Sequence, residues 1–363
     1  MNGLELVNLN KVFPGFTLGP LNLRVKHEVR VILGATGSGK TTILNIISGL
    51  SKPDSGSIIL DGVNITNQPL ERRKIGYIFQ KPFLFPHLGV YDNVIFGHRE
   101  HESAGESEIR ELLKDLGIWH LCDRRIQGLS GGEMQKISLA RMLITKPKIM
   151  LMDEPLSNLD DQFKKKLRLD LRRVLKERNI PTIYVTHFEQ DVYALADTIS
   201  ILYKGRVVYD DTLEAALKIQ QPFTFPFRSD IFIAEGNYIE GVVTYCKKGI
   251  TRFKYYTQIL EILGEYHVGS RVGILIRPED IILSRRILKT SARNLLHVKI
   301  VHIEKPIESA GTVNVYMMLE QRLHLVAKIT DEARLELGIK DGDEIFVIFK
   351  ASAPQVVREG YSV

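Results

Sequence analysis

Short apolar runs alternate with helix-like patterns over residues 1–220. Val29–Leu33 is a short, mainly apolar run that ends at a glycine, and apolar residues between positions 43 and 50 then recur at helical spacing. Residues 149–152 and Thr182–Thr186 are two further candidates for buried strands. Because strands alternate with helices, the pattern predicts an α/β fold whose core sheet is largely parallel.

The strand pattern is interrupted between residues 81 and 145. In this stretch, residues 108–116 and 135–144 show helical spacing instead. We therefore expect a helical subdomain, about residues 81–145, to be inserted into the sheet domain.

A second domain is predicted after residues 222–227, a stretch of proline and phenylalanine with the character of a linker. Beyond it, short segments alternate polar and apolar residues and are separated by glycine-containing turns. These segments are 252–256, 271–276, 296–303, 312–319, 322–329 and 344–349. They predict an all-β, OB-like barrel over residues 226–363, following the α/β domain of residues 1–225.

The composition is that of a soluble globular protein, with 44% hydrophobic and 25% charged residues among 363. The formal net charge of +6 would suit nucleic acid, anionic lipid or phosphate ligands, but the charges of both signs are interspersed and favour an ordinary solvated surface. The two cysteines lie far apart, so neither a disulfide framework nor a cysteine metal site is expected, and a reducing cytoplasm fits. No apolar stretch is long enough to span a bilayer, and no leader pattern begins the chain.

A glycine-rich loop follows the first predicted buried strand and matches the Walker A pattern. Glycines let the backbone wrap closely around a phosphate chain, and the following helix presents its positive N-terminal end to the same anion. Lys40 would then reach the β- and γ-phosphates of a nucleotide, and the Thr41 hydroxyl would bind Mg²⁺. The alternative is a glycine-rich turn without a ligand. The loop consists of Gly34, Ala35, Thr36, Gly37, Ser38, Gly39, Lys40 and Thr41, followed by Thr42.

Two carboxylates end the predicted strand at residues 149–152. Asp153 would lie at the carboxyl end of the sheet, where open α/β sheets bind ligands, and would hold Mg²⁺ directly or through water. Glu154 would be the general base that orients and deprotonates the attacking water. The alternative is an ordinary strand end with solvated acids. Because the chain also contains a Walker A loop, the Mg²⁺ site is the favoured interpretation.

A third motif, residues 129–133, separates this chain from other P-loop ATPases. It resembles the signature motif of the ABC transporter family, and a Ser-Gly-Gly turn at a helix start is a further anion site. The resemblance implies a head-to-tail homodimer, in which each signature covers the ATP held by the other copy. The alternative is a simple helix N-cap, which needs only the serine. The motif consists of Leu129, Ser130, Gly131, Gly132 and Glu133.

The other motifs of the family follow in order along the chain. By resemblance, Gln80 senses Mg²⁺ and the attacking water, and Asp160 belongs to the D-loop that crosses the dimer interface. His187 resembles the switch histidine that contacts the γ-phosphate. Phe13 corresponds to the aromatic residue that stacks on adenine, with Phe16 as a nearby alternative.

Two positions depart from the family pattern. Lys136 stands where arginine is usual, and Asn158 stands where alanine is common in the D-loop. Neither change removes a catalytic group, so an active ATPase is expected.

The apolar and aromatic segment at residues 81–88 follows Gln80. In importers of this family the region forms the groove that receives a coupling helix of the membrane subunit. Packing within the helical subdomain is the alternative, and the two can hold for different side chains.

The C-terminal region resembles the regulatory domains of importer ATPases, and residues 286–355 resemble the Mop, or molybdate-binding, domain. Small hydroxyls, one arginine and one lysine suit a compact tetrahedral dianion. By resemblance, an oxyanion site between two such domains would be lined by Ser291, Arg293, Thr330 and Lys350. The alternative is a barrel that only packs against its twin.

Over essentially its whole length the chain resembles the ATPases of molybdate importers. The resemblance implies that two copies bind ATP and Mg²⁺ on the cytoplasmic face of the membrane and drive two integral-membrane permease subunits. An extracytoplasmic substrate-binding protein would take part indirectly, and no nucleic acid is involved. Molybdate or tungstate is the expected anion, and sulfate, a polyamine, iron or a sugar is the alternative. A non-transport ABC ATPase is a more distant alternative, since such proteins are not expected to end in a Mop-like barrel.

Overall fold

The computed structural model describes residues 3–97, 105–218, 237–304, 311–320 and 323–360. The chain divides into two compact units, one that runs up to Leu213 and one that holds most of the residues after it. The predicted linker at residues 222–227 lies outside the described residues, as does the predicted boundary between residues 225 and 226, and both stay predictions. Within the described ranges, no helix is long and apolar enough to cross a membrane.

The first unit contains two sheets. The strands are β1 (Leu4–Phe13), β2 (Phe16–Val25), β3 (Val29–Leu33), β4 (Ser55–Leu60), β5 (Val63–Asn64), β6 (Ile75–Ile78), β7 (Ile149–Asp153), β8 (Thr182–Thr186), β9 (Thr198–Tyr203) and β10 (Arg206–Thr212). Five parallel strands and one antiparallel edge strand form the larger sheet, in the order β10-β9-β3-β8-β7-β6. The smaller antiparallel sheet has the order β2-β1-β4-β5.

Helices cover the sheets and bridge their strands. They are α1 (Lys40–Ser48), α2 (Val90–Ile95), α3 (Glu106–Asp115), α4 (Gly131–Leu143), α5 (Asp161–Glu177), α6 (Glu189–Leu195) and α7 (Leu213–Lys218). The apolar face of α1 packs between both sheets, where Ile43, Leu44 and Ile47 are fully buried. The α/β class is therefore confirmed, and the stretch expected to be helical contains α2, α3 and α4.

The carboxyl ends of four parallel strands meet along one edge of the larger sheet. β3 leads into the glycine-rich loop, β6 leads towards Gln80, β7 ends in Asp153, and β8 is followed by His187. This edge is where ligands of open α/β sheets bind.

From residue 237 onwards, the described part of the second unit consists of strands, a 3-10 turn at Pro278–Asp280 and the short helix α8 (Asp331–Leu337). Most of α7 also belongs to this unit. The strands are β11 (Asn237–Lys247), β12 (Ile250–Tyr255), β13 (Gln258–Leu263), β14 (Arg271–Ile276), β15 (Ile282–Ser284), β16 (Asn294–Ile303), β17 (Thr312–Leu319), β18 (Leu323–Thr330), β19 (Glu344–Phe349) and β20 (Gln355–Gly360).

These strands form two five-stranded antiparallel sheets, β13-β12-β11-β14-β20 and β15-β19-β16-β17-β18, which share one apolar core. All six predicted segments coincide with strands, and four further strands among the described residues were not predicted.

Candidate nucleotide site

The glycine-rich loop turns tightly between β3 and α1. Gly39 has φ +106°, a left-handed conformation that favours glycine, and a Cβ there would come within 3.0 Å of Leu18 and Phe16. Ser38 is buried, and its Oγ has no hydrogen-bond partner among the described residues. A buried, unpaired hydroxyl in a loop of this shape is a donor that suits a phosphate oxygen.

Lys40 begins α1 and its ammonium group is held inside the loop. Its Nζ donates to the carbonyl oxygens of Gly34, at 2.7 Å, and Ala35, at 3.1 Å, and lies 3.8 Å from Glu154 Oε1. Burial lowers the pKa of Lys40, and the nearby carboxylates of Glu154 and Asp153 oppose that shift. The loop thus presents one buried cation where the β- and γ-phosphates of a nucleotide would lie.

Two carboxylates face this loop from the end of β7. The Thr41 hydroxyl donates to Asp153 Oδ1 at 3.1 Å, so the two oxygen groups expected to hold Mg²⁺ are adjacent. Burial raises the pKa of Asp153, although the hydrogen bond from Thr41 opposes the shift. A divalent cation would offset the cost of holding this carboxylate ionised, so the residues present fit Mg²⁺ together with a polyphosphate.

Glu154 is contacted by a histidine as well as by the loop lysine. His187 Nδ1 lies 2.9 Å from Glu154 Oε1. The backbone N–H of Glu154 donates to the carbonyl of Val185, which fixes the carboxylate beside the end of β8. Lys40, Glu154 and His187 therefore converge, although 147 residues separate the first from the last in the sequence.

Gln80 is tied to the segment that follows Glu154. Its Nε2 donates to Ser157 Oγ at 3.2 Å, and Ser157 Oγ donates to the Glu154 carbonyl at 2.9 Å. Asn158 Nδ2 reaches the Gln80 carbonyl at 3.4 Å, so this departure from the family pattern adds a contact between the two loops. Asp160 caps α5 by accepting a hydrogen bond from the Phe163 backbone.

The signature residues form the start of α4. Ser130 and Glu133 make a complete capping box, with the Ser130 N–H donating to Glu133 Oε2 at 2.8 Å and the Glu133 N–H donating to Ser130 Oγ. The capping alternative thus describes these two residues but leaves the glycines unexplained. A Cβ on Gly132 would collide with the ring of Phe163, which shows that α4 and the first turn of α5 pack closely there.

Lys136, the second departure from the family pattern, connects two helices. Lys136 is buried, and its Nζ donates to the Leu116 carbonyl at 2.8 Å and to Asp170 Oδ2 at 2.9 Å. It therefore joins α4 to α5 and satisfies a carbonyl near the end of α3.

Phe13 closes β1 opposite Phe16, and the two ring centroids are 6.3 Å apart. Phe16 packs against Gly39, whereas Phe13 is 36% exposed and has Lys11 over its ring. Of the two aromatic residues, Phe13 is therefore the more exposed.

The aromatic loop after Gln80 is fixed by buried polar groups. Asn93 is fully buried and exchanges hydrogen bonds with the backbone of Phe85, while Arg141 donates to the Phe83 carbonyl at 2.6 Å. The Phe85 ring packs under Arg141, but the Phe83 side chain is 62% exposed. Phe85 is thus half-buried against Arg141 and Phe96, whereas Phe83 is largely exposed.

The four candidate oxyanion residues do not meet within one chain. Arg293 and Lys350 flank the paired residues Asn294 and Phe349, so they lie together at one end of the sheet. Thr330 lies at the other end, where it caps α8, and the ten-residue strand β16 separates the two ends by about 30 Å along the strand. Ser291, which precedes Arg293, is exposed, as are the other three.

Comparison with known proteins finds two family models, which match separate parts of the chain. Residues 18–157 match the ABC transporter family and residues 290–353 match the TOBE domain. A molybdate/tungstate import ATP-binding protein of Pyrococcus abyssi is 36% identical, over 97% of this chain and 99% of its own length. A spermidine/putrescine import ATP-binding protein of Lawsonia intracellularis is 32% identical, over 95% of this chain and 94% of its own.

A solved structure of cbiO1 from Clostridium perfringens, part of the ABC transporter complex cbiONQ, superposes with a TM-score of 0.54 at 30% identity. It covers 59% of this chain and 89% of the cbiO1 chain. The chain therefore belongs to the ATP-binding subunits of ABC importers, and it is an ATPase coupled to transport.

Proposed function

We propose that this ATPase powers the uptake of molybdate, tungstate or a similar oxyanion. The observation that carries its chemistry is the convergence of Lys40, Glu154 and His187 beside the Thr41–Asp153 pair. Similarity over nearly the whole chain to a molybdate/tungstate import protein supports the substrate class.

The residues at the sheet edge take separate roles in this proposal. Lys40 and the loop from Gly34 to Thr42 hold the phosphates, and Thr41, Gln80 and Asp153 hold Mg²⁺, which supplies charge neutralisation when bound. Glu154 accepts a proton from the attacking water, because its carboxylate faces the loop from the strand end. His187 contacts the γ-phosphate and orients Glu154, and Phe13 stacks on the adenine.

The signature motif acts on a second copy of the chain. The hydrogen bonds of Ser130 stay within its own helix turn, while the exposed N-terminus of α4 offers backbone N–H groups to an anion. In a head-to-tail homodimer, residues 129–133 of one copy would cover the ATP of the other, and Asp160 would lie at the interface.

The partners follow from the importer class. Two permease subunits would bind on the cytoplasmic face of the membrane, with the exposed Phe83 ring contacting a coupling helix. Phe85, which is half-buried against Arg141 and Phe96, would pack within the subdomain instead. A substrate-binding protein on the far side of the membrane would deliver the anion.

The C-terminal unit would bind the oxyanion between two copies. Ser291, Arg293 and Lys350 at one end of a sheet would meet Thr330 of the second copy, since no single chain brings both ends together. A guanidinium and an ammonium favour a dianion and disfavour a polyamine.

Calorimetric titration of the full-length protein with molybdate, tungstate, sulfate and spermidine tests the substrate class. We expect saturable binding of molybdate or tungstate. Arg293→Ala should weaken it, whereas Lys299→Ala, which changes an exposed lysine within β16, should leave it intact. Binding of spermidine alone would favour a polyamine importer, which the similarity to a spermidine/putrescine import protein makes the second candidate.

A further inference from the structure

A buried hydrogen-bond network lies directly behind His187. Its centre is Asp191 on α6, a carboxylate that is only 1% exposed. Asp191 Oδ1 accepts a 2.6 Å hydrogen bond from Arg168 Nε, and Oδ2 accepts hydrogen bonds from Thr186 Oγ1, at 2.8 Å, and from the Tyr184 hydroxyl, at 3.0 Å. A buried carboxylate with this many donors holds one fixed orientation.

The network reaches the backbone on both sides of the histidine. The Thr186 hydroxyl, which donates to Asp191, also accepts a 3.0 Å hydrogen bond from the N–H of Phe188. In addition, the N–H of Asp191 donates to the Phe188 carbonyl. Since Thr186 and Phe188 are the two neighbours of His187 in the chain, their fixed positions determine where the imidazole can point.

The same network connects this loop to α5. Arg168 lies on α5, which begins at the cap residue Asp160, and Lys164 of the same helix lies 5.0 Å from the centroid of the Phe188 ring. The helix that follows the D-loop therefore contacts the histidine loop at two points.

We propose that Asp191 is a positioning residue for His187 and that it acts through the Thr186 hydroxyl. Among the described residues, the hydrogen bonds of the Asp191 carboxylate go to Arg168, Thr186 and Tyr184 and not to the nucleotide loop or Glu154. Asp191 instead holds the loop that places His187 Nδ1 2.9 Å from Glu154 Oε1. This inference depends on the catalytic role proposed for His187.

Two hydroxyl groups bind the same carboxylate oxygen, and this provides a matched pair of variants. Thr186→Val removes the hydroxyl that joins Asp191 to Phe188, whereas Tyr184→Phe removes a hydroxyl that donates to Asp191 and does not contact the histidine loop. Both side chains are fully buried, so the two changes have similar surroundings. Thr186→Ser retains the hydroxyl but loses a methyl group, and it separates hydrogen bonding from packing.

The measurement is steady-state ATPase activity of the full-length variants, with thermal melting as the check on folding. A misplaced catalytic group costs up to about 10²-fold, so we expect Thr186→Val to lower kcat by roughly 10- to 100-fold without raising KM for ATP. Thr186→Ser should recover most of that loss, and Tyr184→Phe should retain wild-type turnover.

A His187→Ala background supplies the decisive comparison. If Thr186 acts through His187, Thr186→Val lowers kcat no further once the imidazole is gone. Losses that multiply in the double variant, a serine variant as slow as the valine variant, or wild-type turnover in Thr186→Val would each overturn the inference. Wild-type turnover in His187→Ala alone would instead refute the proposed role of the histidine.

Discussion

The two units of this protein organise their candidate sites in opposite ways. In the ATPase unit, residues far apart in the sequence meet at one edge of a parallel sheet. There, Glu154 Oε1 lies 3.8 Å from Lys40 Nζ and 2.9 Å from His187 Nδ1. In the C-terminal unit, Arg293 and Thr330 are only 37 residues apart in the sequence, yet they lie at opposite ends of an antiparallel sheet.

The difference follows from strand direction. Parallel strands bring all their carboxyl ends to one edge, so a single chain can assemble hydrolytic groups there. Antiparallel strands alternate in direction, and their ends are distributed over both edges of the sheet. A site that needs residues from both edges of the C-terminal sheet therefore requires a second copy of the chain.

The largest expected effect concerns the single-chain part of the ATP site. Glu154→Gln should lower kcat for ATP hydrolysis by about 10²- to 10⁴-fold, the scale of a lost general base, while ATP binding is retained. Turnover and nucleotide affinity are measured separately on the same preparation. Glu177→Gln, which changes an exposed carboxylate on α5, is the control. Near-normal turnover in Glu154→Gln would refute the assignment.

A complementation experiment tests whether the oxyanion site needs two chains. Arg293→Ala and Thr330→Val should each weaken molybdate or tungstate binding, by about 10- to 100-fold for the arginine, because a hydrogen bond to a charged group is lost. Mixing the two variants should restore one of the two sites in each mixed dimer, and free exchange of copies makes about half of the dimers mixed. Titration of the mixture would then show tight binding at about a quarter of the wild-type stoichiometry, whereas a site within one chain would show no recovery.

Regulation is the next effect in size. We expect cytoplasmic molybdate or tungstate to slow the ATPase of the assembled transporter, because an anion held between C-terminal units would favour the state with the ATPase units apart. A coupling energy of about 1–3 kcal/mol corresponds to roughly 5- to 150-fold inhibition at saturation. Arg293→Ala should remove the inhibition and leave the basal rate unchanged. If the ATPase rate stays constant while the anion is bound, the C-terminal unit binds the anion without regulating the ATPase, and this prediction is wrong.

The smallest effect concerns the packing of the signature motif. Gly132→Ala should lower the free energy of unfolding by about 1–3 kcal/mol, because the added methyl group meets the Phe163 ring. Gly131→Ala is the matched control, since a Cβ there lies at an ordinary 3.4 Å from Leu159. The free energy of unfolding of both variants is measured by chemical denaturation. If Gly132→Ala is as stable as Gly131→Ala, α4 and α5 can move apart enough to accommodate the methyl group, and the prediction is wrong.

The parallel sheet could be predicted from the sequence, but the smaller antiparallel sheet could not. Each strand predicted in the parallel sheet is a nearly continuous apolar run, the pattern of strands buried on both faces. β1 contains register irregularities between Leu6 and Leu9 and again before Lys11, so its buried leucines do not keep a period of two. The alternation on which a strand prediction depends is therefore lost.

The residues that converge at the sheet edge belong to local motifs that can be found in the sequence, whereas the network behind His187 cannot. Asp191 is a charged residue that follows Glu189 and Gln190, and charged residues are usually exposed, so only the fold shows that it is buried against Arg168. The separation of Arg293 from Thr330 likewise depends on strand pairing, for which the sequence gives no direct signal.

In the proposed mechanism this chain works as one half of an ATP-bound dimer, in which each signature completes the other copy's site. Light scattering on Glu154→Gln protein, with and without ATP and Mg²⁺, tests for this dimer, because the variant should bind ATP without hydrolysing it. We expect the molecular mass to double when ATP is added, and a Ser130→Arg substitution in the signature to prevent the change. A mass that is the same with and without ATP over the accessible concentration range would contradict it.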